Sequence, residues 1–382
     1  MFFKGLDMRI TLLDTYYPNF LKSFYGSNFR LSKESYDIQH SNLLNQVFGT
    51  SDFYSRHLKT LGHEAQDLIV NCEPLQIAWA TEHQISYSYA AMKIPARFQR
   101  LPILGPKIQS LPGLAKIAIE QIKSIRPDVL YCQDLWFLTP DRLAAIRPYV
   151  KLIVGQIASP LPSVDYLRGY DLILTSFPHF VPRLKAIGIK SEYFRIGFDA
   201  KILELLPPHE KDIQASFVGG ISRHHGKALP MLEYLAENTP IEFFGYGAQR
   251  LKTSSAIKSK HHGEVWGLEM YQALNRSQIT LNRHINVAEN YANNMRLYEA
   301  TGVGTLLITD NKDNLAELFE PGKEVVVYNT PEEAAELIRY YIVHPEEANR
   351  IAQAGQKRTL LEHTYERRMQ ELVPILEKYI PL

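Results

Sequence analysis

The chain has 382 residues and a formal net charge of +1, from 42 Lys and Arg against 41 Asp and Glu. That length predicts two domains at roughly 100–200 residues each, and near-neutrality argues against a dedicated nucleic-acid binder with its basic stripe. The 17 Phe and 22 Tyr argue against a solvated, disordered chain, and two cysteines, Cys72 and Cys132, make no disulfide framework.

In chain order, Met8 to Leu13 reads as a buried strand ended by Asp14 and Thr15. A long Tyr- and Ser-rich segment follows to about Ser41. An amphipathic helix is predicted over Asp52 to Thr60, with Gly62 placed for a left-handed C-cap, then a strand over Ala65 to Val70. From Gly113 a regular rhythm sets in. Helices are expected at Leu114–Ile125, Pro140–Pro148 and Val181–Ala186. Strands are expected at Val129–Cys132, Lys151–Gln156, Asp171–Thr175 and Tyr193–Ile196.

A link is predicted near Leu205 to Asp212, after which the rhythm restarts. Strands are expected at Ala215–Val218, Ile241–Phe244, Glu264–Trp266, Ile279–Leu281, Thr305–Thr309 and Glu324–Tyr328. Helices are expected at Lys227–Asn238, Leu268–Asn275, Asn294–Ala300, Pro331–Tyr341, Pro345–Glu362 and Tyr365–Tyr379. Short, continuously apolar strands alternating with helices predict parallel sheets covered on both faces. The rhythm occurs twice, so two doubly wound α/β domains facing a cleft are expected, with ligands beyond the carboxyl ends of the strands.

The loops after strands therefore hold the candidate chemistry. Gly219 and Gly220 end a strand and lead to Arg223 and Lys227. Glycines let backbone N–H groups approach a phosphate, and the two cations offer charge; an ordinary tight turn is the competing reading. Asn293-Asn294-Met295-Arg296 opens a helix whose first N–H groups lack partners, so its partial positive charge and Arg296 together suit a diphosphate. Glu299, one turn on, suits a ribose diol. The competing reading is a capped helix with an Arg296–Glu299 pair. Asn282-Arg283-His284 follows a strand toward the same place. Tyr246 and Trp266 also end strands, where they face a nucleobase or pack.

In the first half, Asp52 and Asp134 are the carboxylates best placed to take a proton from an acceptor hydroxyl. His40, His63, His83 and His179 compete for that role. His224, His225, His261 and His262 lack the spacing of a metal site, and no metal is expected. The chain contains no Asp-x-Asp pair of the kind that holds a diphosphate through a metal.

Three stretches then carry a family resemblance: Asn-Met-Arg-Leu-Tyr-Glu-Ala-Thr-Gly (294–302), Leu-Phe-Glu-Pro-Gly-Lys-Glu-Val (318–325), and Ala-Gly-Gln-Lys-Arg with His-Thr-Tyr-Glu-Arg-Arg (354–358 and 363–368). They resemble the C-terminal domain of the spore-maturation-type (CgeB-like) glycosyltransferases, relatives of the group-1 family. Leu61-Gly62-His63-Glu64, Arg126-Pro127-Asp128-Val129-Leu130 and Gly197-Phe198-Asp199 are similar to segments of that family's first domain.

The resemblance implies the GT-B fold, two Rossmann-like domains spanning 1–205 and 206–364, with the helix from about 365 to 382 returning to the first. It implies a bacterial hexosyltransferase-type enzyme of polysaccharide or glycoconjugate biosynthesis, using a UDP-, GDP- or dTDP-linked sugar. Glu299 would bind the donor ribose. Arg296 and the backbone at Asn294 and Met295 would hold the diphosphate, helped by Gly220 and Arg223, and the region of Trp266 would face the base. The acceptor expected is a glycan, a lipid-linked molecule or a small molecule. Glu289 stands two residues before the first Glu of the family's Glu-x7-Glu, whose position falls on Tyr291, and Gln133-Asp134 replaces a family histidine, so a retaining mechanism does not carry over. A nucleotide-sugar epimerase and a non-catalytic binding protein on the same scaffold stay open as alternatives.

No uncharged apolar run approaches the ~18–20 residues of a membrane span, and the first residues lack the apolar core of a secretory leader. A cytoplasmic location is expected, with peripheral association at the inner membrane face left open. Residues 1–200 carry 22 basic and 17 acidic side chains, and residues 201–382 carry 20 and 24. Chance scatter on two solvated surfaces accounts for that split, as does an N-terminal half that meets anionic acceptors or membranes.

Overall fold

The computed structural model describes residues 7–87, 112–208, 210–221 and 228–381. The chain divides into two compact units, Met1–Phe194 with Met369–Leu382, and Arg195–Arg368. The link expected at 205–212 lies inside the second unit.

Unit 1 is built on six parallel strands: β1 (Arg9–Asp14), β2 (Glu64–Ile69), β3 (Val129–Cys132), β4 (Leu152–Ile157), β5 (Leu172–Thr175) and β6 (Ser191–Tyr193). Their order is β2-β1-β3-β4-β5-β6. The inner strands β3 and β5 are buried at every residue, on both faces of the sheet. That is the signature of a parallel sheet sandwiched between helices. Unit 2 is built on β7 (Ile213–Val218), β8 (Ile241–Phe244), β9 (Ser277–Asn282), β10 (Leu306–Asp310) and β11 (Val326–Tyr328), in the order β11-β10-β9-β7-β8. One core fills it, from Ala215 and Phe217 on β7 to Ile351 and Ala352 on the helix Pro345–Glu362.

Most predicted elements stand where their periods put them. Two strands do not. The strand expected at Tyr193–Ile196 is Ser191–Tyr193, where Ile173 N–H bonds the Lys190 carbonyl; beyond it the chain packs closely at Gly197, where a Cβ would lie 2.7 Å from the His363 carbonyl. Glu264–Trp266 is not a strand. Only His261 bridges to Phe243, and Gly263, at φ +101°, turns the chain out of extended geometry.

The Tyr- and Ser-rich segment holds two helices that the sequence hid, Pro18–Ser27 and Tyr36–Leu44. The first is held by Phe20 and Phe24, one turn apart and buried, with Phe20 stacked on Phe48 at 4.2 Å. The last helix is Tyr365–Tyr379. Its end belongs to unit 1, where Lys378 Nζ and Tyr379 Oη each donate to Glu192 at 2.7 Å. Among the described residues, no helix is long and apolar enough to cross a membrane.

Candidate functional site

In each sheet the strand order reverses once. In unit 2 the reversal lies between β7 and β9, in unit 1 between β1 and β3. Helices leaving to opposite faces open a crevice at the carboxyl ends of such a strand pair, where doubly wound sheets take their ligands.

In unit 2 that crevice lies beside the helix Met295–Gly302. Asn294 is its N-cap, in extended geometry at φ −141° and ψ 163°, and its side chain accepts from Leu297 N–H at 3.2 Å. The cap is fixed from below. Asn294 Nδ2 donates to Asn282 Oδ1 at 2.8 Å, Asn282 Nδ2 donates to Thr309 Oγ1 at 2.9 Å, and Tyr328 Oη donates to the Asn282 carbonyl at 3.0 Å. One chain of hydrogen bonds thus joins β11, β10 and β9 to the helix start. Asn282 spends both ends of its amide within this scaffold. The amides of Met295 and Arg296 have no acceptor within the helix, as its first turn requires, so the terminus keeps its partial positive charge.

Arg296 and Glu299 pair at 2.9 Å, with side chains 13% and 7% exposed. The guanidinium also rests on Met270 Sδ, at 3.4 and 3.5 Å. Burial pushes the Glu299 carboxyl up, and the Arg296 charge opposes it. Arg283, next to Asn282, is half-buried.

The glycines after β7 have a structural reason. Gly219 N–H donates to the Phe244 carbonyl at 2.9 Å and Ile221 N–H to the Tyr246 carbonyl at 2.7 Å, so the β7 and β8 loops continue the ladder beyond the strands. A Cβ on Gly220 would lie 2.2 Å from the Tyr246 ring. Tyr246 stacks on Trp266, with ring centroids 5.7 Å apart and planes within 9°. The two rings thus lie in parallel planes, although Trp266 arrives from a loop and not from a strand. Arg223 and Lys227 lie outside the described residues, as do His224 and His225. His261 meets the Gly245 carbonyl at 2.8 Å, and His262 meets Glu242 at 2.7 Å.

One pair escaped the sequence reading. His284, beyond β9, bonds Asp310 at the end of β10 through Nδ1 at 2.7 Å and through its backbone N–H at 3.1 Å. Burial pushes the Asp310 carboxyl up. The His284 bonds and the Lys312 charge, 3.3 Å away, outweigh burial and hold the carboxyl below its ordinary range. The available signal was a polar residue ending each of two adjacent strands.

In unit 1, Asp14 ends β1 and Gln133-Asp134 follow β3. Thr15 joins them: its N–H donates to Asp14 Oδ1 and its hydroxyl to Asp134 Oδ2, both at 2.7 Å. Asp134 Oδ1 also accepts from Trp136 N–H at 2.7 Å, and Thr50 Oγ1 donates to Gln133 Oε1 at 2.7 Å. Asp52 sits at the start of the helix Phe53–Thr60 and pairs with Arg56 at 3.4 Å. The structure thus brings Asp134 to the crevice beside Asp14, a carboxylate not singled out from sequence. Burial pushes the Asp14 carboxyl up to about 7, helped by the Asp134 charge and opposed by the Thr15 N–H bond.

On β2, Asp67 is likewise pushed up to about 7 by burial, and Ser55 Oγ donates to it at 2.5 Å. Both groups titrate higher folded than unfolded, where a carboxyl sits near ~4. Their contribution is complete below that unfolded value and is lost as pH rises through about 7. Denaturant unfolding at pH 5.5 and pH 8 should show lower stability at pH 8. Asp67→Asn should recover about 2 kcal/mol more at pH 8 than at pH 5.5; an equal effect at both values would contradict the assignment.

Comparisons with known proteins agree with this architecture. Residues 223–374 match the model of a family described as glycosyl transferase-like. That stretch holds Asn282, the capped helix and Arg296. No curated protein sequence matches the chain. Among solved structures, a glycosyltransferase from Rickettsia africae is 13% identical over 98% of each chain, with a TM-score of 0.55. Sucrose-phosphate synthase from Thermosynechococcus elongatus is 10% identical over 97% of this chain and 98% of that one, with a TM-score of 0.57. Anabaena HepE, solved in complex with UDP-glucose, is 13% identical over 97% of this chain and 100% of that one, with a TM-score of 0.58. The likeness is one of fold: two parallel-sheet α/β domains of the GT-B type.

Proposed function

We propose that this chain is a glycosyltransferase that moves a sugar from a nucleoside-diphosphate sugar to an acceptor hydroxyl without a metal ion. The observation that carries the reading is the Asn294-capped helix start with Arg296 and Glu299 beside it, at the strand reversal of unit 2 and inside the glycosyl transferase-like match. In transfer, negative charge grows on the leaving diphosphate. A helix N-terminus and a guanidinium fixed in advance stabilise that charge without a metal, and the sequence has no Asp-x-Asp to hold one. Glu299 offers acceptor oxygens for the ribose hydroxyls, and the stacked Tyr246–Trp266 pair offers an aromatic face for the base. HepE's complex with UDP-glucose supports a UDP-linked donor as the first to test.

The acceptor proton needs a base. Asp134 and Asp52 were the sequence candidates. Asp14 joins Asp134 as a candidate, because a carboxyl near 7 is more basic than an ordinary one and still about half ionised at neutral pH. The acceptor is a glycan, a lipid-linked molecule or a small molecule.

A thermal-shift screen with UDP, GDP, dTDP and CMP tests the donor reading. At a ligand excess of 100-fold over Kd the expected stabilisation is about 2.7 kcal/mol, or roughly 5–10 °C for a domain of this size. Absence of any shift across the four would contradict it. Incubation with the matching nucleotide sugar separates the alternatives. A transferase releases nucleoside diphosphate, whereas an epimerase returns the donor with its sugar inverted at one carbon.

A further inference from the structure

The carboxyl end of the unit 1 sheet carries a row of three polar side chains, of which proton transfer uses only Asp14. Register places the row. Leu12, Tyr131 and Val154 are partners on the neighbouring strands β1, β3 and β4. Side chains return to one face every second residue, so two positions on, Asp14, Gln133 and Gln156 share a level and a face. Gln133 N–H donates to the Leu13 carbonyl at 2.9 Å, which carries the pairing to that level. Neighbouring strands lie about 4.8 Å apart.

The start of the helix Phe53–Thr60 fixes the row. Thr50 Oγ1, just before it, donates to Gln133 Oε1 at 2.7 Å. Tyr54 Oη, one turn on, donates to Gln156 Oε1 at 3.2 Å, and Tyr131 Oη donates to the same oxygen at 3.0 Å. Both tyrosines are buried, so Gln156 is clamped from below. Asp14 Oδ2 lies beside Gly49, 3.9 Å from where a Cβ would stand. Each member thus has one end engaged and one end open. Asp14 Oδ2, Gln133 Nε2 and Gln156 Nε2 have no partner among the described residues, and none of them is a buried atom. The three residues are half-buried, with their open ends in reach of solvent.

The open ends define the ligand. A carboxylate oxygen accepts and an amide nitrogen donates, and a hydroxyl can answer both. Asp14 and Asp134, joined through Thr15, oppose an anionic group at this place. A molecule with one hydroxyl at Asp14 and further hydroxyls along the row is an uncharged polyol. Gln133 stands where the resembled family carries a histidine, so the row is particular to this chain.

We propose that the acceptor is an uncharged sugar: the hydroxyl to be glycosylated donates to Asp14 Oδ2, and other hydroxyls of the same ring accept from Gln133 and Gln156. This rests on the transfer reading above. In transfer, the hydroxyl oxygen bonds the anomeric carbon of the donor, the nucleoside diphosphate leaves with the bonding pair, and the proton passes to Asp14. Gln133 and Gln156 are then specificity-determining residues, since a site built to bond a hydroxyl rejects the analogue that lacks it. Tyr54 and Tyr131 are positioning residues that act through Gln156.

The test is an NMR titration of the full chain with the methyl glycosides of glucose, galactose, mannose and N-acetylglucosamine, and with octyl phosphate. Each is run with and without UDP, GDP or dTDP, whichever stabilises the chain most. At least one glycoside should bind saturably, and octyl phosphate should not compete with it. Gln133→Ala and Gln156→Ala should each weaken that glycoside by about three- to tenfold, and Tyr131→Phe by less, with nucleotide affinity held within about twofold. In the transfer assay the two alanine variants should raise the acceptor KM more than they lower kcat. Gln133→Ala, whose amide meets only Thr50, carries the test should Gln156→Ala unfold. Glycoside binding that is equal in the wild type and both variants would overturn the proposal. Tighter binding of octyl phosphate than of every glycoside would overturn it in favour of a lipid phosphate acceptor. A chain that binds nucleotide and no glycoside would overturn it and leave the donor reading standing. One that binds glycosides and none of the three nucleotides would overturn the donor reading, and the acceptor role with it.

Discussion

Arg296→Ala is expected to lower kcat/KM by about 100- to 1000-fold, the range seen when a fixed stabiliser of transition-state charge is removed. The side chain stands at the start of the helix, in its first turn, where the leaving diphosphate is expected. The change also has a cost to the fold. Arg296 is 13% exposed and pairs with Glu299 at 2.9 Å, so alanine leaves a buried carboxylate alone. Breaking a buried pair from one side costs about 3–5 kcal/mol, enough to lower the melting temperature of unit 2 by several degrees.

The two effects separate with a second variant. Arg296→Ala combined with Glu299→Gln removes the stranded charge and should recover most of the stability. Activity should stay low, because the cation at the diphosphate is still missing and the ribose has lost its carboxylate. Steady-state assay and thermal melting of the single and double variants give both readings. An active double variant would show that Arg296 serves the fold alone.

The second large effect is structural. Gly245→Ala should destabilise unit 2 by more than about 3 kcal/mol. Gly245 sits at φ +124°, and a Cβ there would lie 2.2 Å from the backbone carbonyl oxygen of Gly219, which cannot swing aside as a side chain can. Either the β7 or the β8 loop must move, and the two are joined by the Gly219-to-Phe244 and Ile221-to-Tyr246 hydrogen bonds. Gly219→Ala is the control. Its Cβ meets only the Phe217 ring, at 3.4 Å, and the expected cost is below about 1 kcal/mol. Denaturant melts of the two variants should differ widely. Equal costs would contradict the packing described for these loops.

The contrast between these glycines shows what the sequence could and could not reveal. Ile241–Phe244 and Pro345–Glu362 were legible end to end, because each is a clear apolar period bounded by Pro or Gly. A cap at Asn293 or Asn294 was legible too, since Asn directly before a helical period favours that place, and the structure puts it at Asn294. Gly219-Gly220 read as a phosphate cradle or as a tight turn, and the β8 loop that packs on Gly220 is invisible in a linear reading. The helices at Pro18–Ser27 and Tyr36–Leu44 were hidden by Ser, Asn and Tyr, which dilute the apolar period; packing of Phe20 on Phe48 holds the first in place.

The pairings that a linear reading lacks share one cause. His284 and Asp310 are 26 positions apart and meet only because β9 and β10 are neighbours. Asp14 and Asp134 are joined through Thr15 only because β1 pairs with β3. Strand order decides these contacts, and periodicity carries no information about strand order. Asp14 gains its chemical interest from burial beside a second carboxylate, which no residue type announces by itself.

The central claim is that the diphosphate of the donor sits on the start of the helix Met295–Gly302. Backbone amide NMR of the isotopically labelled chain, titrated with the nucleoside diphosphate that stabilises it most, tests this directly. The amide signals of Met295, Arg296 and Leu297 should move furthest and saturate together, and Arg296→Ala should weaken the titration by at least tenfold. Saturable binding that shifts signals elsewhere and leaves these three in place would contradict the claim.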